Sequence, residues 1–529
     1  MHEVIIIGSG VAGTAAALRF AERGIHPCIL DVGMEPPRRP EIRENLYSFM
    51  EKNDGFPLLI GENFEGLSGL DPREQPLPAK LNSPGMRFVT MRAEEFSPLM
   101  EEDFMAIQSF AEGGLANAWG AGLYMVTNRD LENTPLRTSE LEPYYKRLTE
   151  EIGISGENDD LTPFFGRDES LQKPLRLSIN AARILRKYAI KRAKLNKKGV
   201  YIGRPRLGVL TEKKDGRRPC DYSNLEFWQA HLPYLYTPAL TLKKLVNNND
   251  VTYCRGYHVK SWSRKQGAIF VQADELKSKE TRFFECKKLV LAAGAINSAR
   301  LVLASRKDYR ARLTLLDNPA LQFPFILPAR IGSILDTRAF GLTQLNLIYD
   351  SSRHNVLLQG SILEVTSPAR AEFFSSFPLA AHDNLALIRY VLPALVVLQL
   401  FWPAARDQGA TLSLKEDGRL EIAGRAPVFQ EQVVREIMNV FRMLGAYTFP
   451  SYVVRVPSGH SMHYGGTIPM ADSSGREYTC DKSGELTGDP GVYVVDGSVL
   501  PALPAKNISF TIMANAMRIA NIVSDRIKD

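Results

Sequence analysis

Residues 4–13 read Val-Ile-Ile-Ile-Gly-Ser-Gly-Val-Ala-Gly and run directly into Thr14-Ala-Ala-Ala-Leu-Arg-Phe-Ala-Glu-Arg-Gly24. An unbroken apolar run of this length is a strand buried on both faces, the pattern of a central parallel strand. The Gly-x-Gly-x-x-Gly turn and the alanine-rich helix after it complete a βα unit, and Cys28-Ile-Leu-Asp31 supplies the second strand. Each glycine has its own task. Gly8 permits the tight turn, Gly10 lets a pyrophosphate approach the backbone, and Gly13 allows the helix to pack closely on the strand. Val11 and Ala12 open the helix, whose free N–H groups and positive dipole end face a phosphate. Asp31 lies 18 residues past Gly13, where an acidic side chain accepts a hydrogen bond from a ribose. The N-terminal segment thus predicts a dinucleotide-binding unit.

The pattern starts so near Met1 that no targeting segment is expected before it, and a cytoplasmic location follows as an expectation. Five scattered cysteines form no Cys-x-x-Cys pair and no metal-ligand spacing, which fits a reducing compartment. No metal site is expected. The 529 residues suffice for several domains, and 44% apolar with 23% charged residues is ordinary globular composition. The net charge of +6 is unevenly spread, with 14 Lys/Arg against Glu212 and Asp215 between Arg183 and Arg218. Three readings stand for this stretch: a solvated helix and loop, a site for an anionic substrate such as a nucleotide sugar, or contact with an acidic membrane surface. Nucleic acid is not expected, since no binding motif accompanies the basic run. Residues 385–402 are apolar but interrupted by Arg389, Pro393 and Gln399. The proline predicts a short helix before it and a buried strand at 395–401 after it, rather than a membrane span. The alternative is a membrane-facing patch that includes Phe373, Phe374 and Phe377.

Two further βα turns occur far along the chain. Lys288-Leu-Val-Leu-Ala-Ala-Gly-Ala-Ile-Asn-Ser298 reads as strand, Gly294 turn and helix; Gly491-Val-Tyr-Val-Val-Asp-Gly-Ser498 leads to a helix from Asn507. Such turns in distant segments predict one sheet assembled from separate parts of the chain. Residues 251–259 and 268–273 read as a meander joining that sheet. Asp496 is either a turn residue, since Asp-Gly is a common turn pair, or a group that holds a polar cofactor arm. Strand-like runs at 339–349, 357–365, 396–401, 410–414 and 420–422, then a helix at 428–444, predict a mainly antiparallel substrate-facing sheet.

These blocks together resemble the glucose–methanol–choline (GMC) oxidoreductases, a family of FAD enzymes that oxidise sugars and other alcohols. Five motifs in order carry the resemblance from Val4 to about Ile522: Gly8-x-Gly10-x-x-Gly13, Gly113-Gly114-Leu-Ala-Asn-Ala-Trp119-Gly120, Ala292-Ala293-Gly294-Ala-Ile-Asn-Ser298, His463-Tyr-Gly-Gly-Thr467, and Asp496-Gly497-Ser498 with Asn507. The resemblance implies an α/β fold, α+β overall. A discontinuous Rossmann-like FAD-binding domain would comprise 1–45, 90–135, 235–310 and 455–529. Residues 46–89 and 136–234 would form intervening lid or helical segments, and 311–454 an antiparallel-sheet substrate domain. It assigns to the cofactor surface the three glycines with Val11, Ala12 and Asp31, then Gly113, Gly114, Asn117 and Trp119, then Val259, Ala293, Gly294, Asp496, Gly497, Ile508 and Ser509. Some relatives attach FAD covalently through a histidine in the Gly-Gly…Trp-Gly stretch. Here that stretch holds Ala116-Asn117-Ala118, which implies noncovalent FAD. Asn117 either bonds the flavin edge or satisfies loop backbone.

The family's catalytic pair maps onto His463 and Asn507, 44 residues apart. Hydride transfer from an alcohol to flavin N5 requires removal of the hydroxyl proton. A neutral imidazole accepts that proton near pH 7 and a second polar group orients the oxygen. His460 is the rival base, and a loop histidine satisfied by backbone is the bland alternative for His463. The chain departs from the family at Pro469-Met470-Ala471, at Ile508 and in the polar stretch 472–489, which bears on substrate identity. The expected activity is oxidation of a sugar or polyol-like alcohol, with oxygen, a quinone or a protein as electron acceptor. The alternatives are a redox-neutral epimerase or lyase retaining FAD, oxidation of a lipid-linked or sterol-like alcohol at a membrane surface, and a flavin-binding subunit without turnover. A nicotinamide cosubstrate is not expected, because no second complete glycine fingerprint occurs.

Overall fold

The computed structural model describes residues 1–39, 41–55, 59, 61, 78–365, 380–471 and 476–528. Phe373, Phe374 and Phe377, and the start of the 472–489 stretch, lie outside the described residues.

Strand His2–Ile7 occupies the middle of a seven-stranded sheet, with Val4, Ile5 and Ile6 fully buried. It pairs in parallel with Cys28–Asp31 on one side and with Thr281–Leu291 on the other. Val492–Val494 then adds in parallel to the far half of Thr281–Leu291, so N-terminal, middle and C-terminal segments share one sheet, as the three βα turns predict. Helices Val11–Glu22 and Ser509–Lys528 pack against each other over this sheet. The sequence reading of 251–259 as a single meander strand is corrected here. Gly256, at φ +85°, breaks it into Thr252–Arg255, which pairs in parallel with Cys28–Asp31, and Tyr257–Lys265, which turns into the antiparallel meander with Ala268–Glu275. Only glycine adopts that conformation without strain, so one residue sends the chain from one sheet edge to the other.

The second layer is a six-stranded antiparallel sheet ordered Val454–Arg455, Ala320–Ile326, Leu395–Phe401, Val356–Glu364, Thr343–Ser351 and Val200–Gly203. Residues 410–414 and 420–423, expected in this same sheet, instead form a separate four-stranded sheet with Leu313–Leu315 and Leu99–Glu102. The reason is that two apolar helix faces compete for strands. Leu412, Leu420 and Ile422 cover helix Ala295–Arg306, whereas the six-stranded sheet covers helices Ile179–Asn196 and Glu431–Leu444. Helix Glu431–Leu444 places Val433, Ile437, Phe441 and Leu444 on one stripe and stops at Gly445, φ +78°, where the Ala446 N–H returns to the Phe441 carbonyl at 2.9 Å. Phe325 stacks on Phe441 at 4.1 Å between centroids, and burial of each such ring contributes about 1.5–3 kcal/mol. Alternation then leaves Gln322, Pro324, Val397, Gln399 and Phe401 on the opposite face of the sheet, which looks toward the seven-stranded layer.

Residues 381–402 fold as expected from Pro393: helix Ala381–Val391, a short turn, then strand Leu395–Phe401. Among the described residues no helix is long and apolar enough to cross a membrane. In the basic stretch 183–218, Arg204, Arg206 and Arg217 turn inward onto the carbonyls of Leu175, Phe165 and Ile152, and Lys191 donates to Met443 O at 2.6 Å. None of that stretch lines the cavity described next.

Candidate active site

Between the two layers lies a cavity of about 920 Å³, near the upper end of the range for ligand pockets. Three βα turns open onto it. The first intrahelical bonds are Thr14 N–H to Gly10 O, Ser298 N–H to Gly294 O, and Ile512 N–H to Ile508 O. The N–H groups before them have no helical partners, and Val11, Ala12, Ala295, Ile296 and Ser509 all line the cavity. Three positive helix ends therefore point into one space, a setting that favours a polyanion.

Gly8 and Gly13 have the steric roles that the spacing predicts. A Cβ on Gly13 would lie 2.0 Å from the Gly8 carbonyl oxygen, so this glycine exists for helix–strand packing and does not line the cavity. Gly8, at φ +95°, would collide with Ala292 O at 2.7 Å. At Gly10 a Cβ would meet nothing within 4 Å, and the residue lines the cavity. That empty cradle is room left for a ligand, and it fits a pyrophosphate lying on the helix terminus.

Asp31 ends its strand facing the same cavity. Ser9 Oγ donates to its carboxylate, and the Tyr253 hydroxyl does so at 3.2 Å. Burial pushes Asp31 up to about 6, against these donors and the Gly33 N–H. Ser9 Oγ in turn accepts the Gly113 N–H at 3.0 Å, which ties the Gly113-Gly114 loop to the fingerprint. Val259 and Ala293 line the cavity further along. Arg300, buried beside them, donates to Val259 O at 3.1 Å, and its burial lowers it to about 10.

Asp496 is engaged by the turns around it. Its carboxylate accepts from Gly294 N–H at 2.9 Å, Ser298 Oγ at 2.5 Å, and Ser498 N–H and Oγ at 2.9 and 2.6 Å. It thereby locks two βα turns together, although it and Gly497 both border the cavity. Asn117 gives its amide donors to backbone: its Nδ2 donates to Glu112 O and Gly114 O, both at 2.8 Å, while its buried Oδ1 has no partner among the described residues, and the residue does not line the cavity. A 3₁₀ turn at Gly114–Asn117 rotates it inward and presents Ala116 and Ala118 instead. Gly113 is likewise behind the wall. Trp119 lines it, with Nε1 on Tyr236 O at 2.9 Å.

His463, Asn507 and His460 all border this cavity. An antiparallel bridge between Leu316 and Gly465 sets the register that places Asn318 opposite His463. Asn318 Nδ2 donates to Trp402 O at 2.8 Å and Pro504 O at 3.0 Å, so its Oδ1 must face His463 Nδ1, 3.2 Å away. An amide oxygen only accepts, so Nδ1 carries the proton and Nε2 keeps its lone pair. Burial lowers His463 to about 4, which leaves the ring neutral at pH 7. The ring packs on Phe401, centroids 5.0 Å apart. The loop before it is held by Asp317, which accepts from Gly459 N–H at 2.6 Å and from Ser461 Oγ. Burial pushes Asp317 up to about 7.

Asn507 sits just ahead of helix Ser509–Lys528, and its buried Oδ1 has no partner among the described residues. Lys506 beside it makes a fully buried ion pair with Asp130 and donates to Phe164 O at 2.5 Å. Replacing Lys506 with alanine strands the Asp130 carboxylate, and an expected stability loss of about 3–5 kcal/mol should appear in urea denaturation. A change under about 0.5 kcal/mol would mean that this pair does not anchor the segment.

Asn318, Phe401, Asp317 and the inward lysine Lys80 were not singled out from sequence. Lys80 donates to Trp119 O at 3.2 Å, and burial lowers it to about 8. No local pattern marks these residues, because each acts through a register or a fold-back.

Residues 446–516, which hold His463, Asp496 and Asn507, match the C-terminal family model described as GMC oxidoreductase. This match is confined to the C-terminal part of the chain. Among known proteins, this chain is 35% identical over 72 residues to a C-glycoside 3-oxidase from Microbacterium trichothecenolyticum, 14% of each chain. It is 28% identical over 97 residues to a C-glycoside 3-oxidase from Arthrobacter globiformis, 18% of each. The matched stretches therefore cover less than a fifth of these curated relatives. The whole fold is similar to the crystal structure of pyridoxine 4-oxidase from Mesorbium loti, with a TM-score of 0.62, 13% identity and 99% of both chains covered.

Proposed function

We propose that this protein is a GMC oxidoreductase that holds FAD noncovalently and oxidises an alcohol group on a sugar or polyol-like molecule. The observation that carries the reading is His463: a neutral imidazole, its tautomer set by Asn318, on the wall of the same cavity as the open Gly10 cradle. The cradle, the three helix ends and Asp31 would hold the pyrophosphate and ribose of the dinucleotide. Ala116 and Ala118, which border the cavity without a nucleophile, support a noncovalent cofactor. The named activities of the relatives, C-glycoside 3-oxidation and pyridoxine 4-oxidation, support an alcohol or sugar as substrate.

Bound FAD would supply the acceptor for the hydride leaving the carbinol carbon. His463 Nε2 would take the hydroxyl proton, and the Asn507 amide would orient the same oxygen. The buried surroundings of His463 keep it unprotonated, so it is ready as an acceptor at neutral pH. Anaerobic titration of the purified protein with sugars, polyols and simple alcohols tests the reading. Bleaching of the oxidised-flavin band by one class supports it. Bound flavin that no alcohol bleaches while substrate is consumed would replace it with a redox-neutral epimerase or lyase. Protein that neither carries nor takes up FAD would overturn it.

A further inference from the structure

Across the cavity face of the six-stranded sheet, the strand registers align Gln322 with Gln399, Gln399 with Ser361, and Ser361 with Asn346. Four polar side chains thus form one row running across four strands. The next row along the same face is Pro324, Val397 and Leu363, and on the other side stands Phe401. Polar residues at these positions are not needed to pack the sheet, whose opposite face makes the core with Leu321, Phe323 and Leu398.

The row's two glutamines and the Ser361 O–H keep their hydrogen-bonding capacity unspent. The side-chain amides of Gln322 and Gln399 line the cavity and have no hydrogen-bond partner among the described residues. Ser361 Oγ accepts from Asn346 Nδ2 at 3.2 Å, which leaves its own O–H to donate into the cavity. Each glutamine offers two donors and an acceptor. Gln399 lies two residues along the strand from Phe401, about 7 Å, and Phe401 touches His463. A hydroxyl at His463 and further hydroxyls at the row are therefore within the span of one small ring.

We propose that Gln322, Gln399 and Ser361 form a subsite that recognises vicinal hydroxyls, and that the substrate class is a polyhydroxylated ring rather than an apolar alcohol. The proposal rests on the alcohol-oxidation reading above and deepens it. Hydroxyls flanking the reacting carbon satisfy the amides, while the C–H face of the ring lies on Phe401 and Val397. A sterol-like or simple alcohol leaves the same amides unpaired, and sites built this way discriminate strongly against ligands lacking the hydroxyl.

The test is binding by calorimetry to the flavin-loaded protein, which reads the row whether or not the ligand is oxidised. The probes are methyl glucosides, methyl galactosides and myo-inositol, with benzyl alcohol as the single-hydroxyl comparison. In Gln322→Leu and Gln399→Leu the polyol Kd is expected to rise about tenfold or more relative to that of benzyl alcohol. Gln399→Glu keeps size and an acceptor and should lose less; it and Ser361→Ala carry the test if a leucine variant does not fold. An unchanged ratio in these variants, or wild-type protein that binds benzyl alcohol but no polyol, overturns the subsite. Row-dependent polyol binding without anaerobic bleaching upholds the subsite and instead removes the oxidation reading.

Discussion

Replacing His463 with alanine is expected to slow anaerobic flavin reduction by about 10²–10⁴-fold, the usual contribution of a positioned general base. The flavin content should not change, because His463 stands apart from the Gly10 cradle in every contact it makes. The pH dependence has a definite sign. A base works in its neutral form, and burial holds His463 at about 4, so the reductive rate should be flat from pH 6 to 8 and fall only as pH drops toward about 4. Asn318→Asp puts a carboxylate beside Nδ1 and favours the imidazolium. The acid limb should then move upward by about one unit or more, so that activity is lost at a higher pH than in the wild type. Stopped-flow reduction rates across pH check both statements. A His463→Ala rate within about threefold of wild type would remove the base assignment and turn attention to His460.

The second large effect separates two glycines of one motif. Gly13→Ala forces a methyl to 2.0 Å from the Gly8 carbonyl, a backbone atom that cannot swing aside. The helix must leave the strand, at a cost at or above the upper end of the about 1–3 kcal/mol typical of overpacking. Flavin and fold should be lost together. Gly10→Ala is the opposite case. Its φ of −63° suits any residue, and its Cβ meets no protein atom within 4 Å. The apoprotein should unfold within about 0.5 kcal/mol of wild type, yet retain much less flavin after gel filtration, because the methyl occupies the pyrophosphate's place. Urea denaturation of the apoproteins and flavin-to-protein absorbance ratios check the contrast. Full flavin retention in Gly10→Ala would show that no phosphate approaches there.

What could be read along the chain was whatever depends on neighbouring residues. The run Val4–Ile7, the Gly8-Gly10-Gly13 spacing and Asp31 specify a βα unit because strand burial, turn conformation and helix packing are decided within about thirty residues. Pro393 likewise divides the 385–402 segment by removing one N–H and fixing one torsion. The strand runs of the middle region were legible, but their assignment to one sheet was not. Period-2 alternation says that a strand has a buried face and is silent about which helix covers it, so 410–414 and 420–423 went to a second sheet.

The site divides in the same way. His463 and Asn507 were visible as residue types in motifs that the family shares. Their chemistry was not, because it depends on partners remote in sequence. Asn318 meets His463 only through the antiparallel register of Leu316 with Gly465, and that register decides which ring nitrogen holds the proton. Asn117 and Asp496 show the converse: the Asn117 amide nitrogen and the Asp496 carboxylate are engaged by backbone and neighbouring turns once the loops close. The row Gln322–Gln399–Ser361–Asn346 is also invisible along the chain, where its members stand far apart among apolar residues. By itself the sequence determined the N-terminal βα unit, the motifs shared with the GMC family and the positions of the candidate site residues, since these follow from local sterics and spacing. Tautomer, burial and the polar row were decided by tertiary structure alone, because hydrogen-bond partners and dielectric surroundings exist only after distant strands pair.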